Sequence, residues 1–232
     1  MKKKLYNNIL FKSELPALKL ELNFPFEEIY KEIKNLNMVP QIDNNNWLGC
    51  ALRGLGDNKP RPYFEYGYSS DLEVPYRWTK NSMSCVVTKQ FIKKQFKGCK
   101  LFRVKVQSLL PGGRIHLHND SVRSALGLSD KSSDSDTTFL SLAINWPKNI
   151  IFNIDNKRIP IESGDAYLFN FSKNHEVFNP TKFERFSLLI TGRFHNSDTW
   201  KKLVIDSYKK YKNIKFEKAK SIRISNQYLQ SR

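Results

Sequence analysis

Between residues 101 and 191 apolar and polar side chains alternate in short runs, and the runs are cut apart by Gly, Pro, Asn and Asp. Alternation of period two marks a strand with one buried face, and the intervening residues are those that turns require. Strands are expected at 101–107, 113–120, 138–145, 150–154, 157–161, 165–171, 175–179 and 185–191, with Asp155-Asn156 as a hairpin turn between Ile154 and Lys157. So many short strands hide their apolar faces only by closing into a barrel or stacking as two sheets, so the fold class is mainly β. Upstream, residues 15–24 and Trp47–Leu52 read as further strands, and Phe26–Leu36 as an amphipathic helix with Pro25 at its start. Phe91–Phe96 reads as a short helix stopped at Gly98. Ser197 reads as the N-cap of a helix that carries Trp200, Leu203, Val204, Tyr208 and Tyr211 at helical spacing.

The chemistry concentrates in two of these strands. In Gly113-Arg114-Ile115-His116-Leu117-His118-Asn119-Asp120, His118 and Asp120 are two apart and project to the same side of an extended chain, with Ile115 and Leu117 in the apolar register. His175, in Asn174-His175-Glu176-Val177-Phe178-Asn179, can complete a set of two imidazoles and one carboxylate. Such a set occupies one face of a metal and leaves the opposite positions open, which is the arrangement of non-haem Fe(II) oxygenases. Arg185-Phe186-Ser187 follows, with Pro180 midway, so a hairpin centred on Pro180 would set His175 and Arg185 opposite each other. An arginine fork beside such a metal suits a dicarboxylate, and Ser187 on the same face could donate a further hydrogen bond. His116 reads as a supporting residue, not a ligand, and His195 as exposed.

These residues resemble the 2-oxoglutarate-dependent Fe(II) oxygenases, whose motif is His-X-Asp, a distal His, then Arg-X-Ser. More narrowly, the chain resembles the aspartyl/asparaginyl β-hydroxylase family and its small bacterial amino-acid hydroxylases. The similar segments are Trp47–Arg53, Leu110–Gly113 leading into His118, and Gly164–Ser172 leading into His175, within roughly residues 20 to 195. The resemblance implies a double-stranded β-helix, or jelly roll, with a core over about 100–195 inside an oxygenase domain of 1–195. It implies Fe(II) held by His118, Asp120 and His175, and 2-oxoglutarate held by Arg185 and Ser187. Arg123, in Arg123-Ser124-Ala125-Leu126-Gly127-Leu128, matches a further arginine of that family that helps hold the co-substrate, although the histidine found two residues later there is Ala125 here. The implied reaction uses O2 to hydroxylate an unactivated C–H bond of an amino acid, free or in a peptide, with release of succinate and CO2. Asp120 occupies a position that animal members leave without a carboxylate, and that halogenases need free for halide.

The charge balance leaves other partners open. Lysine and arginine outnumber acidic residues 39 to 22, a net charge of +17. That surplus fits an AT-rich coding bias, and equally fits nucleic acid or another anionic partner. Residues 196–232 carry ten Lys/Arg against three Asp/Glu, a basic, helical C-terminal extension. A non-catalytic jelly-roll module that binds nucleic acid is therefore the alternative, as is an oxygenase acting on a nucleic-acid base or a peptide natural product. The Ser/Asp-rich stretch 127–138 reads as a surface loop, either a lid or a plain connector. Three cysteines without metal-type spacing point to free thiols in a reducing cytoplasm, and no apolar run is long enough to span a bilayer.

Overall fold

The computed structural model describes residues 5–6, 9, 15–41, 46–55, 63–120 and 137–219. Its elements in chain order are β1 (Ala17–Leu20), α1 (Phe26–Ile33), β2 (Val39–Pro40), β3 (Trp47–Gly54), β4 (Arg77–Trp78), α2 (Val86–Gln95), β5 (Lys100–Leu109) and β6 (Arg114–His118). There follow β7 (Thr138–Asn145), β8 (Ile151–Ile154), β9 (Lys157–Arg158), β10 (Ala166–Phe169), β11 (His175–Phe178), β12 (Arg185–Arg193), α3 (Asp198–Tyr211) and β13 (Glu217–Lys218). Among the described residues the strands form two antiparallel sheets. The larger, of eight strands, runs β1-β10-β7-β12-β5-β3-β2 with β4 beside β3; the smaller, of five, runs β13-β9-β8-β11-β6. From β5 to β12 the chain passes repeatedly from one sheet to the other, which is the winding of a jelly roll.

The period-two pattern builds three layers. On one face of the large sheet, Leu18, Leu20, Cys50, Leu52, Val104, Val106, Leu140, Leu142, Leu168, Phe186, Leu188 and Ile190 form a core with Ile29 and Ile33 of α1, Ile92 of α2 and Trp200 and Val204 of α3. Their sequence neighbours point the other way. Ala143, Tyr167 and Phe169 meet Ile115, Phe152, Ile154 and Val177 of the small sheet in a second core, between the sheets. Cys50 and Cys85 are buried in the helix-side core, where burial pushes their thiols up to about 12 and about 11, so they are poor nucleophiles.

Helix ends follow local and distant caps. The Ser197 side chain accepts from the Trp200 N–H, as expected. α2 starts at Val86, well before the expected Phe91, because its cap lies far away in sequence. The Glu32 carboxylate, in the last turn of α1, accepts from Val87 N at 2.7 Å, Thr88 N at 2.9 Å and Thr88 Oγ1 at 2.7 Å. A negative charge on those otherwise orphaned donors also meets the positive end of the helix dipole. Asp155 and Asn156 both adopt positive φ (51° and 58°), the conformation of a type I′ turn. Behind the large sheet, the Ser207 hydroxyl on α3 accepts from Glu21 N at 2.9 Å, which ties α3 to the N-terminal strand. Past α3, β13 pairs with β9 and adds a strand to the small sheet.

The expected hairpin does not form. β11 and β12 are not a hairpin about Pro180, since β11 pairs with β6 and β8 while β12 pairs with β5 and β7. The chain crosses between sheets there, and the fully buried Asn179 pins the crossing. Its amide donates to Leu109 O at 2.8 Å and Phe183 O at 2.8 Å, and its side-chain oxygen accepts from Thr181 N at 3.0 Å. Its backbone bonds with Gly112 and Gly113 as well. Gly113 must be glycine at this crossing, because a Cβ would sit 2.8 Å from Leu110 O and 2.9 Å from Asn46 O. Asn179→Ala leaves buried carbonyls without donors and is expected to cost about 1–3 kcal/mol. A thermal melt should fall by several degrees; an unchanged melting temperature would show the crossing is held by other contacts.

Candidate active site

His118 closes β6 and His175 opens β11, and the two are direct partners across the small sheet, with ring centroids 4.1 Å apart. A bulge intervenes just beyond, since Val177 pairs with Ile115. The extra residue in β6 turns the strand, which is why His116 and Leu117 are both exposed (Leu117 is 62% exposed) although the alternation would bury one of them. Asp120 lies past the end of β6. Its N–H donates to Phe171 O at 2.9 Å, and Asn119 Nδ2 donates to Asn174 Oδ1 at 3.1 Å, so the exit of β6 is stitched to the turn that leads into His175.

The result is convergence. His118 Nε2 lies 3.8 Å from Asp120 Oδ1, and the ligand atoms of His118, Asp120 and His175 all lie within 4.8 Å of one another. Each imidazole is oriented from behind by a backbone carbonyl, His118 Nδ1 on His116 O at 2.7 Å and His175 Nδ1 on Lys173 O at 3.0 Å. A carbonyl only accepts, so both Nδ1 atoms carry a proton, which leaves the two Nε2 atoms as the nitrogens available to a metal. His116 thus supports the site through its carbonyl. Burial pushes His175 below the ordinary imidazole value, opposed by the Lys173 carbonyl, reinforced by His118 and opposed by Asp120, so the ring is neutral at physiological pH. Two imidazoles and a carboxylate form a donor set that fits a divalent metal.

These groups line one side of a cavity of about 580 Å³ between the sheets. The large sheet supplies the opposite wall, with Arg103, Lys105 and Gln107 from β5 and Arg185 from β12. Arg185 is buried, and no carboxylate pairs with it among the described residues. Its Nη1 donates to Ser187 Oγ at 3.2 Å, its Nε has no partner, and its guanidinium carbon lies 4.6 Å from the centre of the Trp146 ring. Burial pushes Arg185 down to about 9, so it stays a cation at neutral pH. Ser187 is buried behind Arg185, donating to Gln107 Oε1 at 3.4 Å, and does not itself line the cavity. Arg123 lies outside the described residues. His195 is half-buried, not exposed.

Residues that the sequence did not single out complete the wall. Arg103, Lys105 and Gln107 alternate with Val104 and Val106, so their side reads as a solvent face; in a closed fold that side is the cavity. The Lys105 ammonium lies 4.8 Å from the centre of the Trp47 ring. Burial pushes it down to about 7, with Arg103 adding to the effect, Asp120 opposing it and Arg185 adding again. Because its folded value lies below its ordinary 10.5, Lys105 costs stability below pH 7, and the cost fades as pH rises from 7 toward 10.5. Lys105→Met is therefore expected to raise the melting temperature at pH 6–7, by about 2–4 °C per kcal/mol relieved. The gain should shrink above pH 9; a gain independent of pH would mean that Lys105 is not strained by burial.

A family model described as aspartyl/asparaginyl β-hydroxylase matches residues 16–193. Among solved structures, a 2OG-Fe(II) oxygenase-family oxidoreductase from Burkholderia pseudomallei is 13% identical with a TM-score of 0.45, covering 83% of this chain and 90% of its own. A prolyl-4-hydroxylase from Pseudomonas putida is 13% identical with a TM-score of 0.45, covering 83% and 98%. HygX from Streptomyces hygroscopicus, solved with nickel and 2-oxoglutarate bound, is 13% identical with a TM-score of 0.44, covering 76% and 82%. No curated protein matches the chain. Among the described residues no helix is long and apolar enough to cross a membrane. The matched span runs from β1 to the end of β12 and so takes in both walls of the cavity. The chain belongs to the aspartyl/asparaginyl β-hydroxylase family, and is a 2-oxoglutarate-dependent non-haem iron dioxygenase that works with Fe(II) and 2-oxoglutarate.

Proposed function

We propose that this enzyme hydroxylates an unactivated C–H bond of an amino acid, free or within a peptide. In this reading His118 Nε2, His175 Nε2 and an Asp120 oxygen hold Fe(II), and Arg185 pairs with the far carboxylate of 2-oxoglutarate, with Ser187 and Arg123 in support. The observation that carries the reading is the convergence of two imidazole nitrogens and a carboxylate within 4.8 Å, in a cavity whose other wall holds a buried guanidinium with no carboxylate partner among the described residues. The chemistry supplied by the bound iron and co-substrate is insertion of one atom of O2 into the substrate C–H bond, the other leaving in succinate as 2-oxoglutarate loses CO2.

The chain's own residues bind, orient and exclude water. The carbonyls of His116 and Lys173 fix the two imidazoles so that their lone pairs need no reorganisation on binding metal. Phe139, Phe152, Phe169 and Phe171 make much of the cavity apolar, which keeps water from the reacting centre. Lys105, on the wall facing Asp120, receives a carboxylate of the substrate, and this is what favours an amino acid over a neutral metabolite. Tyr63 and the exposed Phe64 stand at the cavity's mouth, where an incoming side chain passes. The catalytic unit is residues 1–195, with α3 buttressing it from behind the large sheet.

The test is incubation of iron-loaded protein with 2-oxoglutarate in air and a pool of amino acids and peptides, read by mass spectrometry. Succinate should form in step with one product that has gained a single oxygen atom. Product formation from a nucleobase or a neutral sugar, with none from amino acids or peptides, would overturn the substrate class.

A further inference from the structure

The Arg185 fork is held on two sides before any ligand arrives. The Trp146 ring covers its face at 4.6 Å, and Ser187 Oγ takes its Nη1 proton at 3.2 Å. The Ser187 hydroxyl in turn donates its own proton to Gln107 Oε1 at 3.4 Å. The backbone of Trp146 is anchored by its main-chain N–H, which donates to Ser163 Oγ at 2.8 Å, and its ring lies against Phe152 with centroids 6.4 Å apart. An arginine side chain carries about 2 kcal/mol of rotamer entropy, which ordering before binding removes from the cost of ligand capture. A ring face against a desolvated guanidinium also steadies the charge that burial disfavours.

We propose that Trp146 is a positioning residue for the co-substrate, whose ring face holds the Arg185 guanidinium in the one orientation that meets the far carboxylate of 2-oxoglutarate. It acts through Arg185 and touches neither iron nor the reacting carbon. The inference rests on the reading of Arg185 as the carboxylate anchor. Without the ring, the guanidinium can swing, so both the affinity and the length selectivity of the dicarboxylate subsite decline together.

The test is calorimetric titration of 2-oxoglutarate, and of the one-carbon-longer 2-oxoadipate, into Mn(II)-loaded wild type, Trp146→Phe, Trp146→Leu and Arg185→Met. Trp146→Leu should bind 2-oxoglutarate about tenfold more weakly. It should also lose part of its preference over 2-oxoadipate, with KM for 2-oxoglutarate raised and kcat little changed. Trp146→Phe, which keeps an aromatic face, should recover most of the affinity. Should the leucine variant fail to fold, protein grown with 5-fluorotryptophan, whose ring face is poorer in electrons at nearly the same shape, should bind 2-oxoglutarate more weakly than ordinary protein. Wild-type affinity and selectivity in Trp146→Leu, or undiminished affinity in the fluorinated protein, would overturn the inference. If instead Arg185→Met binds 2-oxoglutarate as tightly as wild type, the anchor reading fails, and that result is distinct from a failure at Trp146 alone.

Discussion

His175→Ala is expected to abolish succinate formation and to weaken Fe(II) binding by more than about 100-fold, since even residues that only orient a metal ligand are worth 10–100-fold. The reason lies in the strand pairing. His175 and His118 face each other directly across β11 and β6, so removal of one imidazole leaves a single nitrogen and one half-exposed carboxylate, with no other donor in reach among the described residues. The fold itself should survive, because the β11 backbone ladder to β6 and β8 does not depend on the ring. Equilibrium dialysis of metal, a succinate assay and circular dichroism together separate the effects. Loss of both activities with an intact spectrum is the expected outcome; residual metal binding near the wild-type level would remove His175 from the centre.

Arg185→Met should raise the KM for 2-oxoglutarate by roughly 30-fold to several thousand-fold, the range that about 2–5 kcal/mol for a desolvated charge pair corresponds to. Its metal affinity should stay within a few-fold of wild type, since Arg185 stands on the opposite sheet from both histidines. The same change should leave the apoprotein at least as stable, because it removes a buried cation whose protein contacts are a hydroxyl and a ring face. Lower activity with an equal or higher melting temperature is the signature of a group kept for binding at a cost to the fold. If the melting temperature falls and the requirements for metal and co-substrate rise together, Arg185 is structural.

How far the chain could be read in advance depends on what a local pattern encodes. Alternation tells which face most strand residues occupy, so the strands around Val104, Leu140, Leu168 and Leu188 and the projection of His118 and Asp120 to one side are legible, but it fails at the bulge in β6, where Leu117 is exposed. It does not tell which sheet a strand joins. By sequence alone the His175–Phe178 and Arg185–Arg193 strands look like a hairpin, whereas the crossing at Asn179 sends them to different sheets, and the two groups meet across the cavity instead of along a turn. The basic face of β5 was illegible for a related reason, since Arg103, Lys105 and Gln107 look solvated until the small sheet covers them. The Glu32 cap on α2 lies 55 residues from the N–H it satisfies, beyond any window that senses helix ends. Family membership sets aside the non-catalytic binding module, while the basic character of the chain keeps its meaning open only for the substrate.

The most direct measurement is anomalous diffraction from crystals of the protein soaked anaerobically with Mn(II) and 2-oxoglutarate. A single strong peak within coordination distance of His118 Nε2, Asp120 Oδ1 and His175 Nε2, with co-substrate density running from it to Arg185, is the expected result. A peak at other residues, or ordered 2-oxoglutarate with its far carboxylate away from Arg185, would contradict the account.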